Sequence, residues 1–507
     1  MTRRITRALI SVYYKEGLEP VIRKLSQLGV QFVSTGGTQE FIGNLGFTVT
    51  PVEKLTGYPS IFGGRVKTLH PAVFGGILYR RENAGDVQQA SAHQIAGIDL
   101  VIVDLYPFEE TVARGGSEEE IIEKIDIGGI SLIRAAAKNF QDVLIVSSRE
   151  QYGALLRLLE EGNGSTSVSD RRHFAALAFD TTGHYDTAIF AYFNPGSTIA
   201  SFRQSYRNGR PLRYGENPHQ SARFFGELDA MFDQLNGKEL SYNNLVDVDA
   251  ALALLGEFQD ETAFVIVKHT NACGVATAAT VKDAYTKAFE ADTLSAFGGI
   301  LATNGKIDLA AAEAMNSLFF EILVAPDYEE AALGMLRAKK NRILLRQKQP
   351  LRQPRQFKSL LNGVLEQEAD FRTDSRSDLK VVTRRAPSDS EVRALLFASK
   401  IAKHTKSNTI VLAEDGRLLA SGVGQTSRVD ALRQAIAKAK TFGFRLEGAV
   451  MASDAFFPFP DCVEIAHGEG IRAVIQPGGS VKDQDSVDFC DSHGMAMVFT
   501  GLRHFKH

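Results

Sequence analysis

Gln31-Phe32-Val33-Ser34-Thr35-Gly36-Gly37-Thr38 is a short apolar strand that runs into a Gly-Gly turn, and its reading decides the fold. Helical spacing follows as far as Leu45 and stops at Gly46. Glycines at such a turn let backbone N–H groups approach an anion, and the helix N-terminus adds partial positive charge. Strand, tight turn and helix in that order form the repeating unit of a parallel sheet. The same unit recurs on either side. Upstream, Ala8–Val12 reads as a buried strand, and Leu18, Val21, Ile22, Leu25 and Leu28 mark a helix that ends at Gly29. Downstream, 100–103 is a strand ending in Asp104-Leu105-Tyr106-Pro107. The turn Ile125-Asp126-Ile127-Gly128-Gly129 opens a helix over 131–139, and 143–146 is a last strand. The alternation predicts a doubly wound parallel sheet with polar groups collected at its strand ends, where nucleotides bind. Residues 165–205 read as a helical finish broken at Asn194-Pro195-Gly196, which sets a domain boundary between 199 and 200.

The second part contains a run of the same kind. Phe264-Val265-Ile266-Val267 is apolar and ends at Lys268-His269, followed by Thr270-Asn271 and a short turn. A cation beside a group that titrates near neutral pH can hold an anion and move a proton in one place. Helices are expected over 248–258, 281–290, 391–403 and 429–440, with a strand at 409–413 and a turn at Asp415-Gly416. Two helix–strand–loop–helix passages therefore suggest two related subdomains, about 200–365 and 366–507. Residues 346–356, rich in Arg, Gln and Pro, read as an extended connector.

A chain of 507 residues exceeds one core and calls for several domains. Its formal charge of -3 argues against a non-specific nucleic-acid binder. Cys273, Cys462 and Cys490 are far apart and form no CxxC pair, so neither a disulfide framework nor a Cys-rich zinc site is supported. The N-terminus lacks the apolar length of a signal peptide, and no 18-residue apolar run is present, so a cytoplasmic protein with no membrane partner is expected.

Long motifs then carry a resemblance. Gly-Gly-Arg-Val-Lys-Thr-Leu-His-Pro at 63–71, Leu-Tyr-Pro-Phe at 105–108, Ile-Asp-Ile-Gly-Gly at 125–129 and Ala-Ala-Ala-Lys-Asn at 135–139 stand in the first part. The second has Arg-Tyr-Gly-Glu-Asn-Pro-His-Gln at 213–220, Lys-His-Thr-Asn at 268–271, Ser-Ala-Phe-Gly-Gly at 295–299, Gly-Gln-Thr-Ser-Arg-Val-Asp at 424–430 and Phe-Phe-Pro-Phe at 456–459. In this order they resemble the PurH family of bifunctional purine-biosynthesis enzymes, nearly end to end. The resemblance implies an α/β protein. A methylglyoxal-synthase-like domain with a doubly wound parallel sheet, 1–199, would hold inosine monophosphate (IMP) cyclohydrolase activity. Two cytidine-deaminase-like α/β subdomains, 200–507, would hold the formyltransferase acting on aminoimidazolecarboxamide ribotide (AICAR).

The resemblance also implies residues. Lys268, His269 and Asn408 would carry formyl transfer from 10-formyltetrahydrofolate as co-substrate, with no metal required. Arg213, Tyr214, Gly298, Asp327, Arg428 and Arg503 would bind AICAR, and Val429, Phe456, Asp461 and Ser480 the folate. Lys67, Tyr106, Asp126 and Lys138 would surround the carbon that closes the ring, with Lys138 assigned to proton transfer. Lys15, Thr35, Gly36, Gly37, Thr38, Arg65 and Thr68 would hold the nucleotide. The partners implied are the small molecules AICAR, formyl-AICAR and 10-formyltetrahydrofolate, with no nucleic acid, and a homodimer with transferase sites at its subunit interface. Three positions depart from the family pattern: Tyr13-Tyr14 before Lys15, Asp104 in place of Asn, and Ala272 in place of Pro. The first two put bulk and negative charge beside the nucleotide pocket.

Two other readings stand beside this one. In one the first domain senses a nucleotide without turning it over, since fold does not fix function. In the other the chain is a zinc nucleobase deaminase. His467-Gly468-Glu469 supplies one fragment of that signature, but no Pro-Cys-x-x-Cys completes it.

Overall fold

The structure is a computed structural model and describes residues 2–351 and 353–507. It resolves into two compact units, the first reaching Tyr206 and the second running from Arg207 to His507.

In the first unit β1 (Arg7–Ser11), β2 (Gln31–Ser34), β3 (Val49–Pro51), β4 (Leu100–Val103) and β5 (Leu144–Val146) form a five-stranded sheet in the order β3-β2-β1-β4-β5. Every neighbouring pair is parallel. All residues of β4 and β5 are buried, as expected of parallel strands covered on both faces. Helix α1 (Leu18–Gln27) lays Leu18, Val21, Ile22 and Leu25 on that core, the spacing of one helical face. Helix α2 (Gly36–Asn44) begins directly after β2, and α3 (Gly128–Lys138) packs Leu132, Ile133, Ala136 and Ala137 against the sheet. The helical finish is a single helix, α4 (Val168–Phe193), started by a Ser167–Asp170 capping box. Arg171 in its first turn is wholly buried and donates to the carbonyls of Phe140, Gln141 and Thr166 at 2.6–2.9 Å. A buried guanidinium is tolerated because its donors are satisfied.

The second unit is organised by one twelve-stranded sheet. Its first half contains β6 (Phe232–Asn236), β7 (Ala263–Lys268), β8 (Asn271–Thr277), β9 (Ile300–Thr303), β10 (Ile322–Ala325) and β11 (Ile343–Gln347). The second contains β12 (Lys380–Val381), β13 (Ile410–Glu414), β14 (Arg417–Gly422), β15 (Val450–Ser453), β16 (Ala473–Gln476) and β17 (Ala496–Phe499). The order β6-β11-β10-β9-β7-β8-β14-β13-β15-β16-β17-β12 is the same pattern read outward in both directions from the centre. Each half has a central hairpin, an antiparallel neighbour, two parallel strands beyond it and an antiparallel edge. The halves join through β8 and β14, where Ala276 pairs with Arg417.

The repeat was visible in the sequence only as two similar passages. The stretch expected to be an extended connector is divided: Arg346 and Gln347 finish β11, and Arg355 and Gln356 open an exposed hairpin over 355–368. The strand ending at Lys268 does not lead into a crossover. It turns straight back as the hairpin β7–β8, with Lys268 opposite Asn271.

Candidate active sites

The strand ends of the first unit open on a pocket of about 650 Å³. Lys15, Thr35, Gly37, Thr38, Arg65, Lys67, Thr68, Tyr106 and Asp126 all line it. Three chain segments are thereby brought to one place. The first is the start of α2. Thr35 stands at its N-cap and Gly36 takes φ 41°, in the left-handed region that favours glycine. The Thr38 hydroxyl donates to the Val12 carbonyl at 2.9 Å and accepts the Val12 N–H at 3.1 Å, tying the helix start to the end of β1.

The second segment is the polar loop 62–70. Its His70 is not a site group. Nδ1 accepts the Ala72 N–H at 3.1 Å and caps the following helix, Pro71–Leu78. Arg65 pairs with Glu123, and both residues line the pocket.

The third segment is the Gly-Gly turn before α3. Asp126 Oδ1 accepts the Gly129 N–H at 2.6 Å, and its own N–H is held by the Tyr185 hydroxyl at 2.9 Å. Burial raises the Asp126 pKa, while the Gly129 N–H and Lys67 pull the other way. Tyr106 is raised by burial first and then by the negative charge of Asp126 and Glu123. Burial lowers Lys15, against the pull of Asp104.

Lys138 lies apart from this group. It is exposed at the last position of α3, about 15 Å of helix rise from Gly128, and does not line the pocket. Asp104, the departure from the family pattern, accepts the backbone N–H groups of Tyr13 and Tyr14. Its charge is engaged by the loop that carries Lys15. Tyr13 stands edge-on to Tyr106 with ring centroids 5.6 Å apart, so the extra bulk forms an aromatic wall.

In the second unit, His269 and Thr270 form the two-residue turn of the hairpin β7–β8, with φ 53° and 64°. Lys268 Nζ donates to the Phe297 carbonyl at 2.7 Å, which brings it to the residue before Gly298. Asn271 Oδ1 accepts the Lys406 N–H at 3.2 Å, two residues from Asn408. Asn408 Nδ2 in turn donates to the Gln425 carbonyl at 2.9 Å. Lys268, His269, Gly298 and Asn408 are thus gathered around one turn.

Arg428 and Arg503 both lie over the Phe505 ring, at 5.7 and 4.4 Å from its centroid. Arg428 also reaches the buried Asp454 at 3.4 Å, and Val429 follows it on α5 (Arg428–Thr441). Asp327 is paired with Lys306 at 3.2 Å, and Arg213 stacks on Tyr214. Phe456 precedes a helix that Asp461 opens, and the Ser480 N–H is bound by Asp483 at 3.0 Å. Among the described residues, Arg213, Asp327, Phe456 and Ser480 form no hydrogen bond or ion pair with the His269 turn.

Sequence reasoning missed Asp247. It accepts the Thr270 N–H at 2.7 Å from beneath the turn. It stands just before the helix expected over 248–258, inside the observed helix Tyr242–Leu255, and carried no motif that set it apart. Among the described residues, no group of three or more His, Cys, Asp or Glu is arranged to hold a metal ion.

Comparison with known proteins decides the family. A model described as AICARFT/IMPCHase bienzyme matches residues 136–438, and one described as MGS-like domain matches 17–131. The bifunctional purine biosynthesis protein PurH of Bacteroides thetaiotaomicron is 61% identical over 506 residues, covering 100% of this chain and 99% of that protein. The chain belongs to the PurH family.

Its PurH relatives include the proteins of Aquifex aeolicus, 46% identical with 99% of this chain and 100% of that protein covered, and Chloroflexus aurantiacus, 47% identical with 99% of each covered. Like its family, the chain is a bifunctional enzyme of purine biosynthesis, with AICAR formyltransferase and IMP cyclohydrolase activities in one polypeptide. The reading of the first unit as a PurH-like sensor without turnover finds no support in these relatives.

Proposed function

We propose that formyl transfer takes place at the His269 turn of the second unit and ring closure in the pocket of the first. The amine of AICAR is a weak nucleophile because its lone pair is delocalised into the ring. It must lose a proton as it attacks the formyl carbon of 10-formyltetrahydrofolate. His269 accepts that proton and returns it to N10 of tetrahydrofolate, which leaves as the tetrahedral intermediate collapses. Lys268, now resting on a backbone carbonyl 2.7 Å away, offers its ammonium group to the tetrahedral oxyanion. Asn408 holds the reacting groups. Arg213, Tyr214, Gly298, Asp327, Arg428 and Arg503 bind AICAR, and Val429, Phe456, Asp461 and Ser480 bind the folate. Several of these lie apart from the turn within one chain, which fits a homodimer whose transferase site draws on both copies.

In the first unit the start of α2, with Thr35 to Thr38 and Lys15, receives the nucleotide phosphate, aided by Arg65 and Thr68. Ring closure requires an amide nitrogen to lose a proton and a hydroxyl to leave as water. Asp126, Lys67 and Tyr106 surround that carbon. Asp126 and Lys67 exchange the protons, since Lys138 stands outside the pocket of its own chain. Three buried thiols outside any disulfide fit a reducing, cytoplasmic setting.

The observation that carries this reading is the convergence of a helix N-terminus, two lysines and a half-buried carboxylate on one pocket of nucleotide size. The test is to supply purified protein with AICAR and 10-formyltetrahydrofolate. IMP is the expected product, and properly folded protein that leaves both untouched would overturn the reading.

A further inference from the structure

The two halves of the second unit carry equivalent hairpins with different turns. In the second half Glu414 pairs with Arg417 across Asp415-Gly416, and Gly416 takes φ 70° at no steric cost. In the first half the same place is filled by His269-Thr270, both with positive φ. A two-residue turn of that kind is ordinarily built from Asn and Gly. A β-branched Thr at φ 64° is unfavourable on its own, and such strain persists only where the surroundings enforce it.

The surroundings that enforce it are specific. Asp247, on the helix Tyr242–Leu255, accepts the Thr270 N–H at 2.7 Å. Asn271 Nδ2 and Thr270 Oγ1 both donate to the His269 carbonyl, at 2.8 and 2.6 Å. The Thr270 N–H is therefore held by one carboxylate while the His269 carbonyl is held by two donors. An imidazole at the apex of this turn has its position set by the backbone beneath it.

We infer that Asp247 is a positioning residue for formyl transfer, fixing the left-handed turn that aims His269 at the substrate amine. The inference rests on the assignment of His269 as proton acceptor. Asp247 itself does not touch substrate. It acts through the turn, and a displacement of the base by an ångström is enough to slow such a step by about 100-fold.

Three variants of the full chain test it: His269→Ala, Asp247→Ala and Asp247→Asn. A thermal melt matching wild type, together with cyclisation of supplied formyl-AICAR, serves in each as the measure of intact protein. The amide oxygen of Asn still accepts the Thr270 N–H, whereas Ala leaves the turn unsupported. Asp247→Ala is expected to lower the kcat of formyl transfer by about 100-fold with little change in the KM for AICAR. Asp247→Asn is expected to recover most of that loss. Wild-type transfer by Asp247→Ala, with His269→Ala inactive, would overturn the inference alone. A loss in Asp247→Ala that falls on KM instead of kcat, or one that Asp247→Asn does not recover, would also overturn it. Active His269→Ala would overturn the assignment beneath it.

Discussion

The carboxylate of Asp126 lies so close over Gly129 that a Cβ at position 129 would stand 2.5 Å from Oδ2 and 2.9 Å from Cγ. The second glycine of the turn is therefore required by the acid beside it. Its N–H reaches Oδ1 at 2.6 Å through the space a side chain would fill. Gly129→Ala is expected to push the Asp126 carboxylate off its position and to cut cyclisation by about 100-fold. Formyl transfer should persist, and steady-state assays of the two half-reactions check the split.

Asp126 itself should trade stability for activity. Burial raises its pKa in the folded protein above the ordinary 3.8, so the folded state holds the proton more tightly than the unfolded chain. Stability then falls as pH rises from that value through the raised one, and the cost is complete above it. Asp126→Asn is expected to raise the melting temperature of the first unit at neutral pH. The gain should fade as pH approaches 3.8. Calorimetry across that range reads it. Cyclisation should fall by about 10²- to 10⁴-fold, the usual contribution of a proton-transferring group.

His269→Ala is expected to lower formyl transfer over the same broad range of about 10²- to 10⁴-fold. Ring closure of supplied formyl-AICAR should be unchanged. Equal loss of both activities would contradict two separate sites.

A buried network makes a stability prediction. Glu257 Oε1 accepts from Lys403 Nζ and from His404 Nε2, each at 2.8 Å, and Thr373 donates to the other oxygen. Burial alone would raise the Glu257 pKa, but the bonds from His404, Lys403 and Thr373 outweigh it and hold it at about 2. Burial also lowers the His404 pKa, so the ring donates as a neutral imidazole and Lys403 supplies the positive charge. Because the folded pKa is depressed, the stabilisation is present above the ordinary 4.5 and is lost as pH falls toward about 2. It is worth roughly 3 kcal/mol at neutral pH. Lys403→Met removes the cation beside the buried carboxylate and should cost about 3–5 kcal/mol in denaturant unfolding of the second unit.

Much of the first unit is legible in the sequence because parallel strands are unbroken apolar runs and their turns are glycines. Gln31–Ser34, Leu100–Val103 and the Gly-Gly turns at 36 and 128 fall where they were read. The pocket follows from them, since ligands of a doubly wound sheet bind outside the carboxyl ends of its strands. The His269 turn was harder to read. A hairpin with positive φ at two non-glycine residues violates local preference, and what holds it is Asp247, more than twenty residues away. Lys138 shows a second limit: the resemblance implied a role in ring closure, and ten residues of helix place it outside the pocket of its own chain.

The central claim is that one chain holds two sites that work independently. Its most direct test is complementation between Asp126→Asn and His269→Ala, each purified and supplied with AICAR and 10-formyltetrahydrofolate. Alone, the first should accumulate formyl-AICAR and the second should leave AICAR unchanged. Mixed in equal amounts, they should form IMP, each supplying the step the other lacks. A mixture that forms no IMP, or either variant forming it unaided at the wild-type rate, would contradict the account.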